Sequence, residues 1–91
     1  MEFEWNPDKA AINLSKHGIS FQEAATVFDD SLSLTFPDSN HSIDENSYVI
    51  IGMSSLGKLL VVSHTDREDR TRIISARTAT RPEKRFYEEG S

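Results

Sequence analysis

The sequence predicts an α+β domain in which an antiparallel β-meander packs against two N-terminal helices and carries a short C-terminal helix, in the order β-α-α-β-β-β-β-α. Three observations predict it. Two segments near the amino terminus combine apolar residues at helical spacing with capping residues at their starts. Four later segments are short, alternating or rich in Val, Ile and Leu, and mostly joined by brief turns. A capped helical stretch then closes the chain. The 91 residues are read as a single domain, large enough to bury roughly 60 to 70% of the unfolded chain's surface but too short for two cores.

Phe3 and Trp5 alternate with Glu2 and Glu4, the two-residue period of a half-buried strand. Asn6-Pro7 ends it and opens a helix, because Asn6 can accept from free N–H groups and Pro7 has none to waste at the first position. Ala10, Ala11 and Leu14 are placed on that helix's apolar face, with Lys9, Asn13 and Lys16 beside or opposite it, and His17-Gly18 stops it. Ser20-Phe21-Gln22-Glu23 reads as a capping box, and Phe21, Ala24, Ala25 and Phe28 form the stripe of a second helix that ends at Asp29-Asp30.

From Leu32 the period switches to two: Leu32, Leu34 and Phe36 alternate with Ser31, Ser33 and Thr35 until Pro37. Residues 37 to 46 are turn formers and acids and read as a surface loop, in which His41 is expected to be solvated. Tyr48 to Met53 and Leu59 to Thr65 form a hairpin, and Asp66-Arg67-Glu68-Asp69 turns into a strand over Thr71 to Ala76. Thr80-Arg81-Pro82-Glu83 is a second capping box, with an early proline, that starts a helix through Tyr87. If Thr65 lies opposite Arg70, then His64, Val62 and Leu60 pair with Thr71, Ile73 and Ser75, Arg77 extends that row, and Arg72 faces the other side with Ser63. A one-residue bulge in the turn would reverse these relations locally.

The composition is that of a soluble globular protein, with 36% hydrophobic and 27% charged residues, and no apolar run approaches the ~20 residues that cross a bilayer. The absence of cysteine removes disulfides, thiolate metal sites and thiol nucleophiles, and fits a cytoplasmic location. Met1-Glu2-Phe3-Glu4-Trp5 lacks the basic and apolar regions of an export signal. The net charge of -5 is unevenly spread. Residues 1 to 45 hold two lysines against nine acids, whereas Arg67 to Arg85 holds seven basic residues against three acids. Local charge sets the field a ligand meets, so this stretch can attract a polyanion on an acidic protein.

The last two strands are expected to bring His64, Arg70, Arg72 and Arg77 together, and the final helix to add Arg81, Lys84, Arg85 and Tyr87. The helix start at Thr80 offers free N–H groups to a phosphate, and Arg81, Lys84 and Arg85 form one basic ridge at helical spacing. Cleaving RNA without a metal needs a proton acceptor for the 2′-hydroxyl, cations for the phosphorane and a donor for the leaving oxygen. His64, Glu83 and Tyr87 are the candidate proton carriers and Arg72, Arg77 and Arg81 the candidate clamps. The same arginines could instead pair with neighbouring glutamates, and His64 could be a structural residue. His17, beside Lys16 at a helix end, suits the helix dipole there. No zinc spacing, glycine-rich phosphate loop or Gly-x-Ser-x-Gly elbow is present, so neither a metal nor an organic cofactor is called for.

These residues occur in a pattern that resembles the BrnT toxins of bacterial toxin-antitoxin systems. It is carried by Phe3-Glu4-Trp5-Asn6-Pro7, by Lys16-His17-Gly18-Ile19-Ser20-Phe21 with Glu23-Ala24-Ala25, by Val61-Val62-Ser63-His64-Thr65 and by Arg72-Ile73-Ile74-Ser75-Ala76-Arg77. Ala79-Thr80-Arg81-Pro82-Glu83 with Tyr87-Glu88 resembles the family's final helix, and Thr78 departs from it where a basic residue is common. The resemblance implies a RelE-like fold and a ribonuclease that blocks translation. It implies neutralisation by a small BrnA-like antitoxin with a ribbon-helix-helix domain, operator DNA being reached only through that partner. It points to His64, Arg72, Arg77, Arg81 and Tyr87 as site residues, with Lys16 and His17 as additional contacts. A non-catalytic module that grips RNA, the ribosome or a partner with the same face, or a face mainly for the antitoxin, is the competing expectation.

Overall fold

The computed structural model describes residues 1–38 and 46–90. The elements follow the predicted order: β1 (Glu2–Glu4), α1 (Pro7–His17), α2 (Phe21–Thr26) with a 3-10 turn at Val27–Asp29, β2 (Leu34–Pro37), β3 (Ser47–Met53), β4 (Leu59–Arg67), β5 (Arg70–Thr78) and α3 (Arg81–Glu89). The expected loop at 37–46 lies mostly outside the described residues, as does His41. Strands β2 to β5 form the expected antiparallel meander, and β1 adds to its far edge in parallel with β5, giving the order β1-β5-β4-β3-β2.

One sheet face packs on α1, α2 and the 3-10 turn. Ile50, Leu60, Val62, Ile73 and Ala76 meet Ile19, Phe21, Ala24 and Val27 there, all nearly inaccessible to solvent, with Phe3, Trp5 and Phe28 at the margin. Gly52 is required in this layer, because a Cβ would stand 2.7 Å from the Val27 side chain.

Helix α1 starts as its sequence predicts. Asn6 Oδ1 accepts from the N–H groups of Asp8 and Lys9, and Gly18 ends the helix at φ 71°. Its buried face differs from the expected one: Ala10 is partly buried and Asn13 fully, while Leu14 is 52% exposed. The cause is the edge of β5. Strand β1 covers only Arg70–Arg72, and the strand beyond needs a hydrogen-bonding partner. Asn13 supplies it with its amide, donating to Ala76 O at 2.9 Å and accepting from Ala76 N at 3.0 Å, and it also donates to Ile19 O. At α2 the predicted capping box is half present. Ser20 accepts from Glu23 N, but the Glu23 carboxylate turns inward to accept the Ser54 hydroxyl at 2.7 Å.

The β4–β5 register corrects the sequence expectation. Both strands extend into their polar ends, leaving only Glu68 and Asp69 in the turn, with Glu68 at φ 53°. Thr65 therefore lies opposite Arg72 and His64 opposite Ile73. A bulge follows, and it lies not in the turn but between Ser63 and His64: Ser63 pairs with Ser75, so Ile74 is the extra residue. Its consequence is a change of face. Before the bulge Ile73 points into the core with His64; after it Ala76 does so with Val62, and Ser75 and Arg77 pass to the opposite face with Ser63 and Val61.

Candidate functional site

The second sheet face carries Arg70, Arg72 and Arg77 of the candidate site, and α3 covers part of it. This helix has no buried residue and is tied down by side chains: Phe86 packs edge-on against Phe36 of β2, and the Tyr87 hydroxyl donates to Asp30 Oδ2 at 2.6 Å. Asp30 also accepts from Met53 N and Leu32 N. Burial pushes the Asp30 carboxyl up, but those three hydrogen bonds outweigh it and hold it below the usual range. The Tyr87 hydroxyl is pushed up to about 12, mainly by the same hydrogen bond to Asp30.

At the start of α3 the predicted capping box is complete. Glu83 N donates to Thr80 Oγ1, and Thr80 N donates to Glu83 Oε1 at 2.8 Å. The same carboxylate receives both Arg77 Nη groups, at 2.7 and 2.8 Å. The hydrogen bonds from Arg77 lower the Glu83 carboxyl to about 2, against the opposing effect of burial, and raise the guanidinium further above its ordinary value. The pair helps line a concavity of about 350 Å³, together with Phe36, Val49, Val61, Ser63 and Ser75. Ser75 borders a second hollow of about 200 Å³ on the β5 edge, where Lys9, Lys16 and His17 of α1 gather.

The sequence-predicted residues are thus divided. Arg77 is brought to the foot of α3, with Lys16 and His17 just beyond Ser75. Arg81, Lys84 and Arg85 are exposed on α3, and among the described residues none of them forms an ion pair. Arg70 and Arg72 share the face but lie toward the β4–β5 turn, both bridged to Glu4, at 3.5 and 3.3 Å. His64 does not join them. It is 4% exposed on the core side, with its ring edge-on to Phe28 and stacked with Tyr48. Its Nδ1 approaches Val62 O at 3.4 Å, and burial pushes its pKa below the usual value. The expected meeting of His64 with Arg77 is corrected by the bulge, which puts the two side chains on opposite faces.

Sequence reasoning missed Phe36 as a lining residue of the concavity, Phe86 as its ring partner, and Asp30 as the partner of Tyr87. A strand phenylalanine reads as core from its alternation, and no local signal links Asp30 to a tyrosine 57 residues away. Among the described residues no group of three His, Asp or Glu side chains is arranged as a metal site, and no helix is long and apolar enough to cross a membrane.

A small α+β domain with two helices on one sheet face and, on the other, a hollow that holds an arginine–glutamate pair at the start of a C-terminal helix is the class that fold and site define. The profile of one family, described as the ribonuclease toxin BrnT of type II toxin-antitoxin systems, matches residues 5–83, and the chain belongs to that family. Among solved structures it is similar to the Brucella abortus ribonuclease toxin BrnT, with a TM-score of 0.69 and 20% identity over 89% of this chain and 99% of that one. At that identity the likeness concerns the fold. No curated protein matches the chain.

Proposed function

We propose that this chain is a metal-independent endoribonuclease acting as the toxin of a type II toxin-antitoxin pair. It cuts cellular RNA, inhibits translation in the cytoplasm and is neutralised by a BrnA-like ribbon-helix-helix antitoxin, through which operator DNA is reached. Family membership supports the class of activity. The observation that carries the site is the Arg77–Glu83 pair lining the concavity at the amino-terminal end of α3.

The geometry supports an ordered exchange. An RNA phosphate competes with Glu83 for the Arg77 fork, which suits phosphate as well as carboxylate. Glu83, released from its cation, returns toward ordinary carboxylate basicity beside the bound phosphate. It then accepts the 2′-hydroxyl proton while the 2′-oxygen bonds to phosphorus. Arg77 stabilises the phosphorane charge. The bond from phosphorus to the 5′-oxygen breaks, that oxygen takes a proton from water, and protonated Glu83 gives its proton to the hydroxide so formed, leaving a 2′,3′-cyclic phosphate and a 5′-hydroxyl. Arg81, Lys84 and Arg85 on α3, Lys16 and His17 beyond Ser75, and Arg70 and Arg72 toward the turn extend the anion-binding face. Tyr87 positions α3 through Asp30, and His64 supports the β3–β4 layer from the core.

One observation favours a second reading. Among the described residues that line the concavity the ionisable side chains are Arg77 and Glu83, and Arg77 holds the Glu83 carboxyl down at about 2, so neither changes charge near neutrality in the free protein. That suits a module that grips RNA without cutting it. Incubating purified protein with RNA in chelator separates the two: cleavage to cyclic-phosphate ends supports the enzyme, and retained binding with intact RNA supports the module.

A further inference from the structure

The site holds more than a cation. Phe36 lines the same concavity as Arg77 and stays 36% exposed at the end of β2, where alternation alone would have it buried. Phe86 of α3 is 40% exposed and meets the Phe36 ring edge-to-face, centroids 6.0 Å apart. Two phenylalanines holding each other while leaving over a third of each in water cover little apolar surface for the helix they anchor. The contact alone does not account for an aromatic wall beside an arginine.

The geometry points to Phe36, braced by Phe86, as a nucleobase-stacking wall whose substrate class is single-stranded RNA: a base lies against the ring while the adjoining phosphate takes the Arg77 guanidinium. This rests on the reading of the concavity as an RNA site and adds the form of RNA it accepts. A paired, stacked base cannot turn its face to a protein ring, whereas an unpaired one can, and such stacking tolerates any base. The ring beside the guanidinium selects nucleic acid over an acidic peptide, because a carboxylate side chain satisfies Arg77 without using the ring, whereas a nucleotide uses both.

The test is binding of a fluorescent single-stranded oligonucleotide, made uncleavable by 2′-O-methylation, to wild type, Phe36→Leu and Phe36→Trp. Leucine keeps the apolar contact with Phe86 and removes the π-face; tryptophan enlarges it. The expected result is a loss of about 5- to 100-fold for Phe36→Leu and equal or tighter binding for Phe36→Trp. An abasic scan of the oligonucleotide should find one position that costs wild type as much and costs Phe36→Leu nothing further, the signature of direct coupling. Melting curves of the variants check that both remain folded. Phe36→Leu binding as well as wild type while Arg77→Ala binds poorly overturns the wall and leaves the RNA reading standing. A wild type that binds no RNA overturns both. Phe36→Leu weakening a polyglutamate peptide but not RNA overturns the inference in favour of a protein-docking surface.

Discussion

Arg77 and Glu83 are joined by two hydrogen bonds of 2.7 and 2.8 Å, and the same Glu83 carboxylate accepts Thr80 N at 2.8 Å to close the cap of α3. One carboxylate thus holds both the cation of the site and the helix above it.

Glu83→Gln separates these two roles, because glutamine keeps a capping box. The helix should persist by circular dichroism. RNA should bind a few-fold more tightly, with no charged competitor for Arg77, while cleavage falls by about 10²-fold or more if Glu83 takes the 2′-hydroxyl proton. Unchanged cleavage would remove Glu83 from the mechanism.

The pair also sets a pH dependence. Glu83 is lowered from 4.5 to about 2, so its contribution to stability is complete above pH 4.5 and is lost as pH falls toward 2. Denaturant melts over that window should show a decline that Arg77→Ala and Glu83→Gln both flatten. Partial exposure of the pair limits its size to about 1 kcal/mol.

His64 gives a dependence at higher pH. Its folded pKa is depressed by burial, so the unfolded chain takes up the proton more readily, and stability should fall as pH drops below 6.5. His64→Phe should abolish that slope and leave RNA binding intact, because the ring lies between Phe28 and Tyr48 on the face away from Arg77. His64→Ala should cost about 2 to 4 kcal/mol, read from the urea midpoint.

Much of this arrangement is legible from residues that act locally. Asn6-Pro7, His17-Gly18 and Thr80-x-x-Glu83 fix helix ends by hydrogen bonds within a few residues, and each lies where the sequence places it. What escapes prediction depends on distant partners. Asn13 reads as a surface residue until it meets Ala76, 63 positions away, and Glu23 reads as a cap until it meets Ser54. The bulge at Ile74 decides which face carries Arg77, and no residue in Arg72-Ile73-Ile74-Ser75-Ala76-Arg77 marks it as a turn glycine or proline would mark a bend. Unbroken alternation would put His64 and Arg77 on the same face, and the one extra residue puts them on opposite faces.

Asn13→Ala tests the side chain that replaces a neighbouring strand. It leaves Ala76 N and O without their partners at the β5 edge, at a cost of about 1 to 3 kcal/mol for each buried group. A drop in the urea midpoint with unchanged slope is expected, and a variant as stable as wild type would show that water replaces the amide.

The α3 ridge should behave as a diffuse anion surface. Replacing Arg81, Lys84 and Arg85 by alanine is expected to weaken single-stranded RNA binding uniformly across sequences. The salt slope should fall by about 0.7 for each phosphate that is no longer neutralised. An unchanged slope would place the RNA elsewhere.

The decisive measurement is single-turnover cleavage of single-stranded RNA in excess EDTA by wild type, Arg77→Ala and Arg77→Lys. The mechanism above requires products with 2′,3′-cyclic phosphate ends from wild type, a loss of about 10²-fold or more for Arg77→Ala, and poor rescue by lysine, whose single ammonium cannot reproduce the fork. Equal cleavage by wild type and Arg77→Ala, in protein shown to be folded, would contradict it.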